Sequence, residues 1–484
     1  MRFAFLILLS LTPPLLAAPV LPPDNRATVE TLRQAADVME KDDDPDHQRW
    51  FWCRVAELRR KIGDRRGEAA AIQRAWEVTE KEDTDGDETK WRPVILTCAR
   101  LGETAKALKL AAFYPKDCKN LVISPRNEIL SEAAEEAALA GQFQAAGEIA
   151  DAIGYEANRR EVREYVRRLE IVARFKAGET KRALRGVTTL SINLLKISAL
   201  VGEPKERYSQ DITAPGDGIA DLQLLSKDKA GARQSALQAL ALIPDAEEHG
   251  RRSACVAAVR ILCQVDDLAE AKKALARHLA VNRKNKLTPD SDLFLDLLAR
   301  GHMAVAEVRA GRDEAALAFL KGLDLKGEQA WLLRIIALAQ ARAGRAEASK
   351  ASFARAIELV ADKEKTDDLC HILGSQALAG DFDGAIMSAR QFRCEGVIWE
   401  ELALLQAKAG DFDGARKTIT TGLKAPEYWP TYVLPLIARA QAAAGQPAAV
   451  REWSAKLDDP RTRAAVLLGL AEGLVQEPAK PGGK

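Results

Sequence analysis

The sequence predicts an all-α solenoid built from helix-turn-helix hairpins. Three observations lead there. Apolar residues recur at spacings of three and four in one segment after another, the period of a single helix face. Most of these segments end at a Gly and are followed at once by an Ala-rich second helix, as in WEELALLQAKAG-DFDGARKTI. The 484 residues are 47% apolar but only 5% aromatic, so the core is drawn from Ala, Leu, Val and Ile. That composition suits close-packed helices better than a sheet sandwich.

Taken in order, the chain opens on MRFAFLILLSLTPPLLAAPV. Arg2, the apolar run to Leu16 and the small pair Ala17-Ala18 read as a signal peptide over residues 1–18, which predicts a secreted or periplasmic protein. The run is too short and too proline-broken to span a bilayer comfortably. Residues 19–46 form an N-terminal segment, flexible at first, then helical from Thr28 to about Met39, then an acidic loop over 41–46. Hairpins follow over 47–190. Over 191–222 the periodicity fades, and VGEPKERYSQDITAPGDG reads as a loop or insertion. Hairpins resume over 223–458. A helix over 459–476 has no hairpin partner in sequence and is expected to cover the end of the stack, and residues 477–484 form a tail expected to be disordered.

The turns fall at Gly63, Gly102, Gly141, Gly178, Lys227, Val265, Gly311, Gly344, Gly380, Gly410 and Gly445, a mean spacing of about 38 residues. Gly suits these positions because a residue just past a helix C-terminus often needs φ > 0. Two units are near-copies: GDFDGA runs from Gly380 to Ala385 and again from Gly410 to Ala415. Asp411 or Asp413 can cap the second helix of the later copy.

These residues resemble the tetratricopeptide repeat (TPR). Eleven positions before the turn stand Trp52, Trp91 and Trp399, with Val55, Val94 and Leu402 three later. The small residue that follows is Ala337, Ala403 or Ala438, and five past the turn come Ala107, Ala146, Ala183, Ala316, Ala385 and Ala415. Phe353 and Ala356 occupy the motif's two later core positions, and Phe143, Phe382 and Phe412 its aromatic two past the turn. The late Tyr of the first helix and the closing Pro are mostly missing, which leaves a related helical-hairpin solenoid as the alternative to a strict TPR. The resemblance implies a right-handed superhelix with a long concave groove, suited to an extended peptide or a partner's helix.

Catalytic motifs are missing from the sequence. The five His are scattered, and there is no H-E-x-x-H, G-x-S-x-G or phosphate-binding Gly loop. The Asp83–Glu88 loop and GDFDG resemble calcium-loop fragments but lack the Gly at the sixth and the Glu at the twelfth position of an EF-hand. No metal or cofactor is expected. Seven Cys in so long a chain are no disulfide scaffold. Cys370 and Cys394 nevertheless lie at matching heights on opposite arms of one hairpin, where a disulfide is conceivable. The formal net charge of +1 argues against general nucleic-acid binding.

The pattern with most functional content is basic. Lys61, Arg100, Lys176, Arg309, Arg342 and Lys408 stand two before the turn, at a position that lines the concave face in TPR proteins. Trp50, Trp331 and Tyr432 fall at a second such position, and Arg92, Arg168 and Arg334 at a third, with Arg439 a further groove candidate. Together they predict a groove for an acidic or carboxylate-bearing peptide or protein. Cations at helix C-termini are also favoured by the helix dipole alone. The Arg159, Arg160, Arg163, Arg167 and Arg168 cluster shares its helix with three Glu and reads as a salt-laced face. The expected function is a non-enzymatic peptide-binding scaffold. The alternatives are a structural envelope component or a carbohydrate-active enzyme on an α/α toroid. The enzyme would require the chain to close into a ring with paired carboxylates, for which Glu57, Glu128 and Glu135 are candidates.

Overall fold

The computed structural model describes residues 25–82, 88–114, 124–202, 216–243, 248–284, 289–361, 366–394, 396–422 and 430–475. The signal segment, the tail and most of the 83–88 loop lie outside these residues. Among those described there are 25 α-helices, and no strand. The all-α solenoid of hairpins expected from the sequence is what the chain forms.

After α1 (Arg26–Met39) the helices run in pairs: α2 (Pro45–Lys61) with α3 (Arg65–Glu82), α4 (Arg92–Arg100) with α5 (Thr104–Ala111), α6 (Pro125–Leu139) with α7 (Phe143–Asp151), and α8 (Glu156–Lys176) with α9 (Thr180–Thr189). Next come α10 (Asn193–Val201) and α11 (Ile219–Leu225), which share the partner α12 (Lys229–Leu242). Then follow α13 (Glu248–Gln264) with α14 (Leu268–Lys284), α15 (Pro289–Arg309) with α16 (Asp313–Leu317), and α17 (Lys326–Arg342) with α18 (Ala346–Val360). The last are α19 (Thr366–Leu378) with α20 (Phe382–Gln391), α21 (Val397–Lys408) with α22 (Phe412–Gly422), α23 (Pro430–Ala443) with α24 (Pro447–Ser454), and finally α25 (Pro460–Leu474).

Local chemistry explains the hairpins. Ten of the eleven turn residues have φ between 64° and 91°, and the eleventh turn uses Asp266, with φ 66°, rather than Val265. In the two near-copies the first Asp is the cap: Asp381 accepts from the Gly384 N–H at 3.1 Å and Asp411 from the Gly414 N–H at 2.9 Å. A buried Gln recurs four positions before the turn, as Gln223, Gln340, Gln376, Gln406 and Gln441. Its amide oxygen accepts from the second helix in three hairpins, from Ser235 and Ser352 at 2.8 Å and from Trp453 at 3.0 Å. Its amide nitrogen reaches the residue just past the turn in three, including Gln376 to Asp381 at 2.6 Å. Each hairpin so served has a polar staple that sets the separation of its arms.

The 191–222 stretch differs from the expected loop: α10 occupies its first part and α11 begins near its end. The two take the place of one first helix. They are tied to α13 by Arg260, which is 1% exposed and bonds both oxygens of the equally buried Asp221, at 2.5 and 2.9 Å, and the Val201 carbonyl at 2.9 Å. At nine and seven residues the two half-helices are too short to show a repeating helical stripe, which is why periodicity alone misses them.

The stack closes on itself. Each first helix packs against the next, from α2 through α23, and α25 then packs against α23 on one side and against α1 and α2 on the other. The helix expected to cover one end of an open superhelix is therefore the first arm of a twelfth hairpin, and α1 is its second arm. One core cluster runs from Leu32 to Val166 and continues from Ala403 to Ala471 without a break. Gly469 and Gly473 make the approach of α25 to α23 possible. They lie one turn apart on one face. A Cβ at Gly469 would strike the Pro435 carbonyl, and one at Gly473 would come within 2.5 Å of the Arg439 carbonyl. Across the join, Arg461 bonds Asp42 at 2.8 Å and Asp43 at 3.2 Å, residues 419 and 418 positions away. With the ends joined, the open-ended groove implied by the resemblance becomes the wall of a ring.

Candidate functional site at the ring seam

Where the ring closes, a cavity of about 420 Å³ is lined only by first helices: Trp50, Arg54 and Glu57 of α2, Arg100 of α4, Pro435 and Leu436 of α23, and Ala465, Leu468, Gly469 and Glu472 of α25. Trp50, Arg54 and Glu57 share one face of α2 because they are four and three positions apart. Trp50 is 44% exposed, unlike the neighbouring Phe51 and Trp52, which pack into the core in an edge-to-face pair. Leu436, Ala465 and Leu468 give the cavity an apolar floor.

The polar rim is a chain of charges. Arg54 donates to Glu57 at 2.6 Å and to Glu472 at 2.5 Å, so one guanidinium spans the seam. Arg100 donates to the other Glu57 oxygen at 2.8 Å and to Glu136 at 3.1 Å. Arg439 approaches Glu472 at 3.7 Å. Burial alone would lower the pKa of Arg54, but Glu472 and Glu57 outweigh it and hold the guanidinium above its ordinary value. The site offers two guanidiniums, two partly buried carboxylates and an aromatic face over an apolar floor.

Of the residues expected in a basic groove, the seam gathers Trp50, Arg100 and Arg439. The rest are dispersed. Lys61, Lys176, Arg342 and Lys408 end their helices as exposed cations. Arg92 is bidentate to Glu132, at 2.7 and 2.8 Å. Arg309 donates to the Cys263 carbonyl at 3.0 Å. Three residues are corrected outright, because they do not line an open groove. Arg168 is 1% exposed and bonds Asp217 at 2.6 Å. Arg334 is also 1% exposed, lies 5.7 Å from the ring of the buried Trp331, and bonds Ser375 at 3.3 Å. Their position is groove-facing in a regular repeat, but here the adjacent first helices close over them. Tyr432 lies on α23 with its side chain outside the described residues. The α8 arginines are paired along and beside their own helix, Arg167 with Glu164 at 3.0 Å and Arg174 with Glu170 at 2.5 Å.

Sequence reasoning missed Arg54 and Glu472. The clue was that α1 and α25 each carry an apolar stripe without a hairpin partner: Leu32, Ala35 and Met39 in one, Ala464, Leu468 and Ala471 in the other. Two unmatched stripes at opposite ends of a repeat array can satisfy each other. Elsewhere, His302 is buried and pushed down to about 3, first by burial and then by Arg260 and Arg309, which makes it a neutral core residue. No metal-ligating cluster occurs among the described residues, and no described helix is long and apolar enough to cross a membrane.

No known family model matches the sequence, and no curated protein does. Among solved structures the chain is similar to the crystal structure of the pentatricopeptide repeat protein PPR10 from maize, at 12% identity over 92% of this chain and 68% of that one, with a TM-score of 0.28. At that score the two superimpose poorly, and the fold rests on the helix order and packing described above. One expectation is corrected: nucleic acid was set aside because the net charge is near zero. Net charge averages over the whole surface and does not exclude a local basic site, so the exclusion is withdrawn. The chain is an all-α array of helical hairpins closed into a ring.

Proposed function

We propose that this protein is an exported, non-enzymatic scaffold that captures a peptide segment of a partner protein at the seam of the ring. The observation that carries the reading is the seam cavity, with an exposed Trp50 beside Arg54 and Arg100 over the Leu436–Leu468 floor. An apolar side chain fits the floor, and the peptide's polar groups exchange hydrogen bonds with the Arg and Glu side chains of the rim. Exposed aromatics and arginines at the centre of a concave site are the residue types that dominate binding energy. Export rests on the first eighteen residues alone, and a reporter fused after Ala18 tests it by whether the reporter leaves the cytoplasm.

The binding test is a screen of immobilised peptides against the full chain, followed by titration read through indole fluorescence. Trp50→Ala should weaken a captured peptide at least about tenfold, the size of a hot-spot truncation. Unchanged affinity, or capture of single-stranded RNA in place of any peptide, would overturn the reading.

Ring closure favours one second reading, the carbohydrate-active toroid. Glu57 and Glu472 lie on either side of one guanidinium. Both carboxylates accept hydrogen bonds from that arginine. Hydrolysis of a glycan panel that disappears in both Glu57→Gln and Glu472→Gln would establish this second reading against the first.

A further inference from the structure

A second chemical feature lies away from the seam, in the hairpin of α19 and α20. Cys370 sits in the first turns of α19 and Cys394 just past the end of α20, so the two arms of one hairpin bring them together. Their side chains are hydrogen-bonded to each other. Both belong to one apolar cluster with Leu373, Ala389 and Trp399. The backbone fixes Cys394 from both sides. Arg393 adopts φ 51°, and the Cys394 carbonyl accepts the Trp399 indole N–H at 2.8 Å. The other described cysteines differ. Cys53, Cys98, Cys255 and Cys263 are buried, and burial pushes the Cys53 thiol up to about 11 and the other three to about 12. Cys394 moves the opposite way: the Cys370 hydrogen bond lowers its pKa against the effect of burial.

We propose that Cys370 and Cys394 form a dithiol site that is oxidised to an intrachain disulfide by a low-molecular-weight disulfide such as oxidised glutathione. Exposure sets the order of events. Cys394 is 5% exposed, whereas Cys370 is only partly buried. Cys370 therefore loses its proton and attacks the oxidant, forming a mixed disulfide and expelling one glutathione thiolate, which takes up the proton. Cys394 then gives up its proton, and its sulfur attacks the Cys370 sulfur and expels the second glutathione as a thiolate, which takes up that proton. Two protein thiols are oxidised to one disulfide, and one oxidised glutathione is reduced to two thiols. The crosslink joins α19 to the segment that the Trp399 hydrogen bond fastens to α21, so it stiffens one point of the ring.

The test treats the full chain with oxidised glutathione, traps remaining thiols by alkylation, and maps peptides by mass spectrometry without reduction. The expected result is one linked pair of peptides carrying Cys370 and Cys394, two hydrogens lighter, which separates in dithiothreitol. Cys53, Cys98, Cys255 and Cys263 should be alkylated only after denaturation. Cys394→Ser should stop at a glutathione adduct on Cys370, and Cys370→Ser should give no adduct at Cys394. Far-UV circular dichroism checks that both variants fold. Alkylation of both cysteines in the oxidised wild-type sample would overturn the proposal, and so would a crosslink from either to another cysteine.

Discussion

The hairpin of α21 and α22 and the hairpin of α25 and α1 are packed alike but made differently. The first is continuous chain. Gly410, with φ 90°, turns it, Asp411 caps it, and Gln406 staples turn to helix at 3.4 Å. The second has no turn, because α1 and α25 lie at opposite ends of the described residues. It relies instead on side-chain chemistry: Arg461 on the Asp42–Asp44 run, Arg54 on Glu472, and the close approach of Gly469 and Gly473 to α23. A hairpin closed by a turn loses little entropy on forming, whereas one closed across the whole chain must overcome the cost of bringing distant ends together, which grows slowly with length. The seam is thus the place where the ring is most open to disruption, and it is also where the cavity lies.

Substitutions can set the two hairpins against each other. The largest effect is expected from Gly469→Val, whose side chain meets the backbone carbonyl of Pro435 and has nowhere to go. It should cost about 3 kcal/mol and raise the radius of gyration in small-angle scattering as the seam opens. Gly414→Ala in the continuous hairpin meets only the Asp411 side chain and should leave the radius unchanged.

The two hairpins also respond to pH in opposite directions. Glu401 on α21 is raised to about 7, by burial first, against the pull of Arg334 and Lys408. The folded state holds that proton after the unfolded chain, with its value of 4.5, has lost it. Stability therefore falls as pH rises from about 4.5 to about 7, by about 3 kcal/mol in all. Glu401→Gln should stabilise the protein at pH 8 and have little effect at pH 4, as measured by denaturant titration.

At the seam, Arg461→Ala removes the cation from Asp42, whose side chain is 1% exposed, and should cost about 2 kcal/mol. The loss should shrink at high salt. The smallest effect is expected at the cap of α25. Burial works to raise the pKa of Asp459, but hydrogen bonds from Thr462 and the backbone at Arg461 hold it below its ordinary value of 3.8. Its contribution is full above that value and is lost as pH falls through the lower folded one. Asp459→Ala should cost about 1 kcal/mol at pH 7, and the difference from wild type should vanish in strong acid. Equal responses of both hairpins to this series would remove the distinction between them.

Much of the fold was legible because its signals are local. A 3.6-residue stripe, a Gly that must take positive φ and an Asp that caps the next turn act within a dozen residues. The eleven turns were therefore placed to within one position. Trp399, eleven positions before its turn, is 4% exposed, as a residue on the packed face of its helix should be. The site was less legible. Arg100 and Arg168 look equivalent as basic residues on first helices, yet one rims the seam cavity and the other is buried against Asp217. The difference comes from how closely neighbouring first helices pack, which no single hairpin encodes.

The sequence by itself determined the helical hairpins, their number along the continuous chain and their turns, because each depends on backbone preferences and on one helix face at a time. Only the tertiary structure decided that the stack closes. Closure depends on the sum of small rotations between successive hairpins, and on residues as far apart as Asp42 and Arg461 meeting at the end of that sum. The twelfth hairpin, the cavity beside Trp50 and the pairing of Arg54 with Glu472 all follow from that closure.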